Sequence, residues 1–190
     1  MSGRASNWLL AAMLPALALA GIREHVDGSH WSSEFDPLFR KYTKHYFGAH
    51  FDWRWFKAQG IAESGLDPDA RSPAGARGIM QILPSTYREI RTRNPFLADI
   101  EDPRWNIAAG IFYDRQLYRK WKQNQEIPVT QRLEFAFGSY NAGYRSVLRA
   151  YRKAEDRHGE VKRWEQVAPF APAETRRYVL RIRELMQPPR

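Results

Sequence analysis

The chain has 190 residues, a length typical of one domain with a single core, and its net charge is +9. It has no cysteine, which excludes disulfides and thiolate metal sites, and its 5 histidines include no His-x-x-x-His pair that would favour zinc. The positive charge suggests a polyanionic partner, and a solvated basic surface without such a partner is an equal alternative. Because Lys and Arg are spread along the chain, charge alone does not choose between nucleic acid, anionic lipid and an anionic wall polymer.

The N-terminus carries an uncharged apolar run from Trp8 to about Ile22, flanked by Arg4 and Arg23. This run is shorter than the roughly 20 residues that a comfortable membrane span needs. It is typical of a signal peptide, with an Ala-Leu-Ala cleavage site at 18–20, or of a signal that anchors briefly and releases uncleaved. A buried N-terminal helix of a cytoplasmic protein is the third interpretation. We predict a signal or signal-anchor-like segment over residues 1–23 and one domain over residues 24–190.

Helix signals recur along the rest of the chain, and the alternation typical of strands is scarce. The predicted helices run from Asp36-Pro37 to Gly48, from Asp52 to Gly65, from Pro84 to about Arg91, from Asp102-Pro103 to about Lys122, from Thr130 to a break at Asn141-Ala142-Gly143, from Tyr144 to about Ala154, and from near Pro172 to before Pro188. Residues 155–171 are predicted to be an irregular connection. The sequence therefore predicts an all-α domain.

Glu63 lies in the last turn of the second predicted helix, close to Phe56, Ala58 and Ile61. Partial burial among apolar side chains raises the pKa of a carboxyl group, because it disfavours the charged form. A carboxyl group that keeps its proton near neutral pH can act as the general acid of glycoside cleavage. Taken alone, the position is more typical of a surface glutamate, because most Glu residues near helix ends are exposed.

Four separated motifs follow one another in the chain, and the first contains Glu63. They are Glu63-Ser64, Ser72-Pro73-x-Gly75-Ala76-x-Gly78-Ile79-Met80-Gln81-Ile82-Leu83-Pro84, Tyr140-Asn141-Ala142-Gly143 and Glu174-Thr175-x-x-Tyr178-Val179. In these motifs and their order the chain resembles the soluble lytic murein transglycosylase family, from about Trp53 to Met186. The resemblance implies a lysozyme-like helical fold with a substrate groove.

The resemblance also implies one acid/base and several groove residues. Glu63 matches the catalytic acid/base, Ser72 and Gln81 match residues that hydrogen-bond the sugar, Tyr140 and Asn141 match residues near the scissile linkage, and Glu174 matches a second carboxylate that is not a nucleophile. Two of these have other interpretations. Gln81 could instead hold a backbone group of its loop, and Glu174 could be a first-turn residue favoured by the helix dipole.

The implied activity is cleavage of the β-1,4 bond between N-acetylmuramic acid and N-acetylglucosamine, with formation of a 1,6-anhydromuramic end and without metal or cofactor. The expected partner is a peptidoglycan glycan strand, with possible transient membrane contact through the N-terminus. No nucleic acid is expected, and we expect a monomer. The expected location is the periplasm or cell envelope, and the short chain favours a bacteriophage lysis enzyme, an endolysin.

Two alternatives stay open. A goose-type lysozyme-like hydrolase would use Asp67 or Asp69 to position a water molecule. A non-catalytic component that binds the cell wall would keep the fold without the reaction.

Overall fold

The computed structural model describes residues 24–124 and 127–187, of which 123 and 124 are described by their backbone alone. The all-α prediction is confirmed: the described residues form eight α-helices and one short 3-10 turn at Ala168–Phe170. The helices are α1 Asp36–Phe47, α2 Arg54–Ser64, α3 Pro84–Arg93, α4 Pro103–Asn124, α5 Arg132–Ala142, α6 Tyr144–His158, α7 Trp164–Val167 and α8 Ala173–Leu185.

Proline and glycine set the ends of several helices, as the sequence predicts. Pro84 and Pro103 are the first residues of α3 and α4, where a missing backbone N–H costs nothing. Gly65 ends α2 in the left-handed conformation, with φ of +66° and its N–H donated to the Ile61 carbonyl. The start of α2, which carries Glu63, differs slightly from the prediction: Asp52 lies two residues before the helix and its Oδ1 accepts the Arg54 N–H at 3.0 Å.

The prediction of an irregular connection over residues 155–171 is wrong. Helix α6 continues to His158, and α7 with the following 3-10 turn occupies residues 164–170. Helix α7 forms where Trp164 is buried against α5. The ring of Trp164 lies so close to Gly138 of α5 that a Cβ at that position would be only 2.6 Å from it. The break after α5 also lies later than predicted, because Asn141 and Ala142 remain helical and Gly143 turns the chain with φ of +80°.

Helix α4 is central to the core. It packs against α1, α3 and α5, while α8 packs against α2 and α5. Trp121 of α4 is fully buried and donates its indole N–H to Ser139 Oγ on α5 at 2.9 Å. This packing joins the helix that carries Glu63, the helix that carries Tyr140 and the C-terminal helix into one body.

The predicted signal or signal-anchor segment, residues 1–23, lies outside the described residues. Within residues 24–124 and 127–187, no helix has both the length and the apolar character needed to cross a bilayer.

Candidate active site

Glu63 is the penultimate residue of α2, and only 6 % of its surface is exposed. Its helix is buried over most of its length, from Phe56 to Glu63. A carboxyl group at this position is therefore removed from bulk water, as the apolar character of the sequence predicts.

Tyr178 from α8 donates its hydroxyl to Oε1 of Glu63 at 2.6 Å. Burial raises the pKa of Glu63 to about 8; the hydrogen bond from Tyr178 opposes that rise, and the charge of Glu174 adds to it. Glu63 is therefore mostly protonated at neutral pH and can donate a proton.

The loop between α2 and α3, residues 65–83, is held in place by Asn106 of α4. The side chain of Asn106 is completely buried. Its Nδ2 donates to the carbonyls of Arg77 at 2.9 Å and Ile100 at 3.0 Å, and its Oδ1 accepts the Met80 N–H at 2.8 Å. Ser64, next to Glu63, donates its hydroxyl to the Ile79 carbonyl at 2.9 Å. The loop is thus fixed both to α4 and to the end of the helix that bears Glu63.

Gln81 holds its own loop through its side chain. Its Nε2 donates to the carbonyls of Gly78 at 2.8 Å and Ala70 at 3.1 Å. Its φ of +43° is in the left-handed region, which is unfavourable for a side chain with a Cβ. The two hydrogen bonds help to offset that strain, and they are contacts of the kind that the loop-stabilising interpretation of Gln81 expects.

Tyr140 and Asn141 lie at the end of α5 and connect it to its neighbours. The Tyr140 hydroxyl donates to the Met80 carbonyl at 2.7 Å, which ties α5 to the loop. The Asn141 Oδ1 accepts the hydroxyl of Thr175 at 2.7 Å, which ties α5 to α8.

A cleft of about 180 Å³ opens between the loop, α3, α4 and the end of α5. Its walls are Gln81, Ile82, Leu83, Ser85, Thr86, Glu89, Tyr113, Tyr140, Asn141 and Gly143. Three of the six predicted site residues, Gln81, Tyr140 and Asn141, therefore share one cleft.

The other three predicted site residues lie outside the walls of that cleft. Glu63 is buried, and its charge acts on Tyr140, which does line the cleft. Glu174 is half-buried and acts on Glu63 through its charge. Ser72 is half-buried, and its hydroxyl accepts the Ala76 N–H at 3.0 Å, so in this structure it stabilises a turn.

Asp67 and Asp69, the carboxylates on which a water-activating mechanism would depend, are exposed. Oδ1 of Asp67 accepts the Asp69 N–H at 2.9 Å, which is a turn-stabilising contact. This contact explains Asp67 and Asp69 as residues that stabilise a turn of the loop.

Sequence reasoning assigned no role to Tyr178 and overlooked Gln59 and Asp114, two buried polar residues near Glu63. Tyr178 and Asp114 each left a signal in the sequence. Tyr178 follows Glu174 at a spacing of one helical turn, and Asp114 continues the apolar face of α4 that includes Ile107. A polar residue within such an apolar stripe is an indication of a buried group.

Comparisons with known proteins found a family model, curated relatives and solved structures that match this chain. The family model described as "Transglycosylase SLT domain" matches residues 42–162, which include Glu63, Gln81, Tyr140 and Asn141. Glu174 and Tyr178 lie beyond the matched range.

Curated relatives match most of this chain. The membrane-bound lytic murein transglycosylase F of Shewanella oneidensis is 29% identical over 163 residues, covering 84% of this chain and 33% of the relative. The protein of the same name from Haemophilus influenzae is 33% identical over 147 residues, covering 76% of this chain and 28% of the relative. The chain thus spans a third or less of the length of these curated relatives.

A solved structure has a similar fold. The 70 kDa soluble lytic transglycosylase from Escherichia coli matches with a TM-score of 0.63 and 24% identity, over 82% of this chain and 24% of that chain. The described helices therefore have the lysozyme-like arrangement that the sequence resemblance implies.

Proposed function

The chain belongs to the transglycosylase SLT domain family, and from this premise we propose that it is a peptidoglycan lytic transglycosylase whose general acid and base is Glu63. One observation carries the proposal: Glu63 is buried at the end of α2, hydrogen-bonded to Tyr178, and its pKa is raised to about 8. A carboxyl group that is protonated at neutral pH can give its proton to a leaving oxygen.

The first step breaks the β-1,4 bond between N-acetylmuramic acid and N-acetylglucosamine. The Glu63 carboxyl proton moves to the glycosidic oxygen as the bond from that oxygen to the muramic anomeric carbon breaks. The muramic N-acetyl group stabilises the positive charge that develops at the anomeric carbon. Glu63 is left as a carboxylate, and its hydrogen bond from Tyr178 stabilises that charged form.

The second step forms the 1,6-anhydro end. The Glu63 carboxylate takes the proton of the muramic C6 hydroxyl while the C6 oxygen bonds to the anomeric carbon. Glu63 returns to its protonated state, and no water is consumed. Because nucleophile and electrophile belong to the same sugar, the step gains the advantage of an intramolecular reaction.

We propose that the glycan strand binds along the cleft, whose wall residue Tyr140 interacts electrostatically with Glu63. Gln81, Tyr140 and Asn141 provide polar groups on its walls, and Tyr113 provides an aromatic face. Ser72 and Glu174 are proposed to contact sugar or peptide groups further along the strand. The net charge of +9 would attract the carboxylates of peptidoglycan peptides, an attraction that salt weakens.

Mass spectrometry of the soluble products from purified peptidoglycan tests the proposal. We expect the full chain to release muropeptides with anhydro ends and Glu63→Gln to release almost none. Glu155→Gln, which removes a charge from an exposed position on α6, is the matched control and should act like the unaltered chain. Products with reducing ends would instead identify a goose-type hydrolase, and wall binding without any products would identify a non-catalytic component.

We further propose that residues 1–23 direct residues 24–190, the catalytic domain, to the periplasm or envelope and form a transient membrane contact. A role in bacteriophage lysis as an endolysin fits a releasable signal of this kind. Fractionation of cells that express the full chain tests this: the protein should move from the membrane fraction to the periplasm. Retention in the cytoplasm would contradict it.

A further inference from the structure

Asp114 is a fully buried acid in the middle of α4, on the side of the helix that packs into the core. It belongs to none of the four sequence motifs, and it is not a wall of the cleft. A buried carboxyl group without a strong partner is costly, so its presence needs a physical explanation.

Its hydrogen-bond partner is Gln59 of α2, which is also fully buried. Gln59 Nε2 donates to Asp114 Oδ1 at 3.5 Å, a long contact. The other two polar atoms of the pair, Gln59 Oε1 and Asp114 Oδ2, are both buried and accept no hydrogen bond from described groups. The pair therefore contains two buried acceptor atoms, and one additional donor would satisfy both by placing a hydrogen bond between them.

One proton on Oδ2 of Asp114 supplies that donor. The carboxyl O–H would then donate to Gln59 Oε1 while Gln59 Nε2 donates to Asp114 Oδ1, giving a ring closed by two hydrogen bonds. We propose that Asp114 is held protonated in such a ring with Gln59, and that this pair is a positioning device for Glu63.

The surroundings of Asp114 favour the neutral form. The groups that interact with it electrostatically are all acids: Glu63 from α2, Tyr113 from α4, Tyr140 from α5 and Tyr178 from α8. Burial raises the pKa of Asp114 well above its usual value, the hydrogen bond from Gln59 opposes this, and the charge of Glu63 adds to it.

The two cations that lie closest to this pair in the sequence, Lys57 and Arg115, have other contacts. Lys57 of α2 lies two residues before Gln59, but its Nζ is 2.7 Å from Asp36 Oδ1 on α1. Arg115 of α4 stacks over the rings of Phe47 and Tyr118. Neither of these two compensates a charge on Asp114.

The pair acts on Glu63 through helix α2. Gln59 lies four residues before Glu63, so both side chains project from the same side of the helix, one turn apart. Fixing Gln59 to α4 limits rotation and sliding of α2, and thus the position of the Glu63 carboxyl group. This part of the inference rests on the proposed function, since it concerns the acid of that reaction.

Carbon NMR of the side-chain carboxyl groups tests the protonation state without any activity. The Asp114 resonance is identified by its absence in Asp114→Asn and followed in the full chain from pH 4 to pH 9. We expect the chemical shift of a protonated carboxyl group at pH 7. A resonance that titrates in the ordinary range of aspartate would overturn the inference, whether or not the chain cleaves peptidoglycan.

Steady-state cleavage by two variants tests the positioning role. Asp114→Asn can form the same ring as a neutral amide, so we expect kcat within about threefold of the unaltered chain and the same pH profile. Asp114→Leu leaves the Gln59 amide unpaired, so we expect kcat per folded molecule to fall by about tenfold or more with KM changed far less.

The possible outcomes test the protonation of Asp114 and its positioning of Glu63 separately. Equal kcat for Asp114→Leu and the unaltered chain would overturn the positioning role, and a shifted high-pH limb for Asp114→Asn would show that Asp114 is ionised beside Glu63. If Asp114→Leu does not fold, the NMR titration and the pH profile of Asp114→Asn still decide. An unaltered chain without lytic activity would contradict the proposed function and leave the NMR result standing.

Discussion

The hydroxyl of Tyr178 lies 2.6 Å from Oε1 of Glu63, although 115 residues separate the two in the sequence. The contact favours the charged carboxylate, whereas burial favours the protonated acid, and burial is the larger effect. The pKa of about 8 is the balance between them, with a contribution from Glu174.

This balance predicts how cleavage depends on pH. If proton donation by Glu63 limits the reaction, kcat/KM should be constant below the pKa and fall as pH rises through about 8. The measurement is kcat/KM on purified peptidoglycan between pH 5 and pH 9.5 at constant ionic strength, because substrate attraction depends on salt. A fall centred near pH 5 would mean that Glu63 is ionised at neutral pH and is not the acid.

Removal of the Tyr178 hydroxyl should move the fall of kcat/KM, the high-pH limb of the profile, to higher pH. Tyr178→Phe deletes the hydrogen bond that lowers the pKa of Glu63, so the limb should shift to higher pH by up to about one unit. Tyr151→Phe deletes another buried hydroxyl, which donates to the Val161 carbonyl, and should leave the pH dependence unchanged. A downward shift for Tyr178→Phe would contradict this account.

Glu63 should also make folding stability depend on pH. Its folded pKa of about 8 exceeds the ordinary value of 4.5, so the folded chain holds more protons than the unfolded chain between these values. Stability must then fall as pH rises through this window, by up to about 1.4 kcal/mol per pH unit from this group. Glu63→Gln removes this pH dependence. The free energy of unfolding of Glu63→Gln minus that of the unaltered chain should therefore increase by about 1–3 kcal/mol between pH 5 and pH 7.5.

Urea denaturation at several pH values measures that difference. Glu155→Gln is the control, because Glu155 is exposed and its replacement should give no growing difference. A constant offset between Glu63→Gln and the unaltered chain at all pH values would show that Glu63 has an ordinary pKa.

Asn106 should be important for the loop that carries Gln81. Asn106→Ala removes three buried hydrogen bonds, those with Arg77, Ile100 and Met80, and should reduce the free energy of unfolding by about 2–4 kcal/mol. Hydrogen exchange of the Met80 amide should accelerate as well. Thr92→Ala, at an exposed position on α3, should change stability by less than about 0.5 kcal/mol. Equal stability of the two variants would show that other contacts hold the loop.

The sequence predicted most helices within a few residues, because Pro84, Pro103 and Gly65 act through local backbone chemistry that needs no tertiary context. Helix α7 escaped prediction since it is short and depends on Trp164 packing against Gly138 of a distant helix.

The site was predictable to a different degree. The apolar neighbours of Glu63 and the motif resemblance together predicted its burial, and its motif partners followed from the resemblance alone. The contact with Tyr178 could not be read from the sequence, because a hydrogen bond across 115 residues depends on how α2 and α8 pack. Asp114 was detectable from the periodicity of α4, but as a single residue it belongs to no motif.

The packing of α8 against α2 makes the surroundings of Glu63 depend on a segment that is synthesised much later. A ribosome makes α2 long before α8, and until α8 docks, the carboxyl group of Glu63 lacks the cover and the phenol that Tyr178 provides. Loss of α8 would therefore change two influences on this acid at once, the cover that raises its pKa and the hydroxyl that lowers it. The environment of a residue in the first half of the chain is complete only when a helix that carries a residue 115 positions later has packed against it.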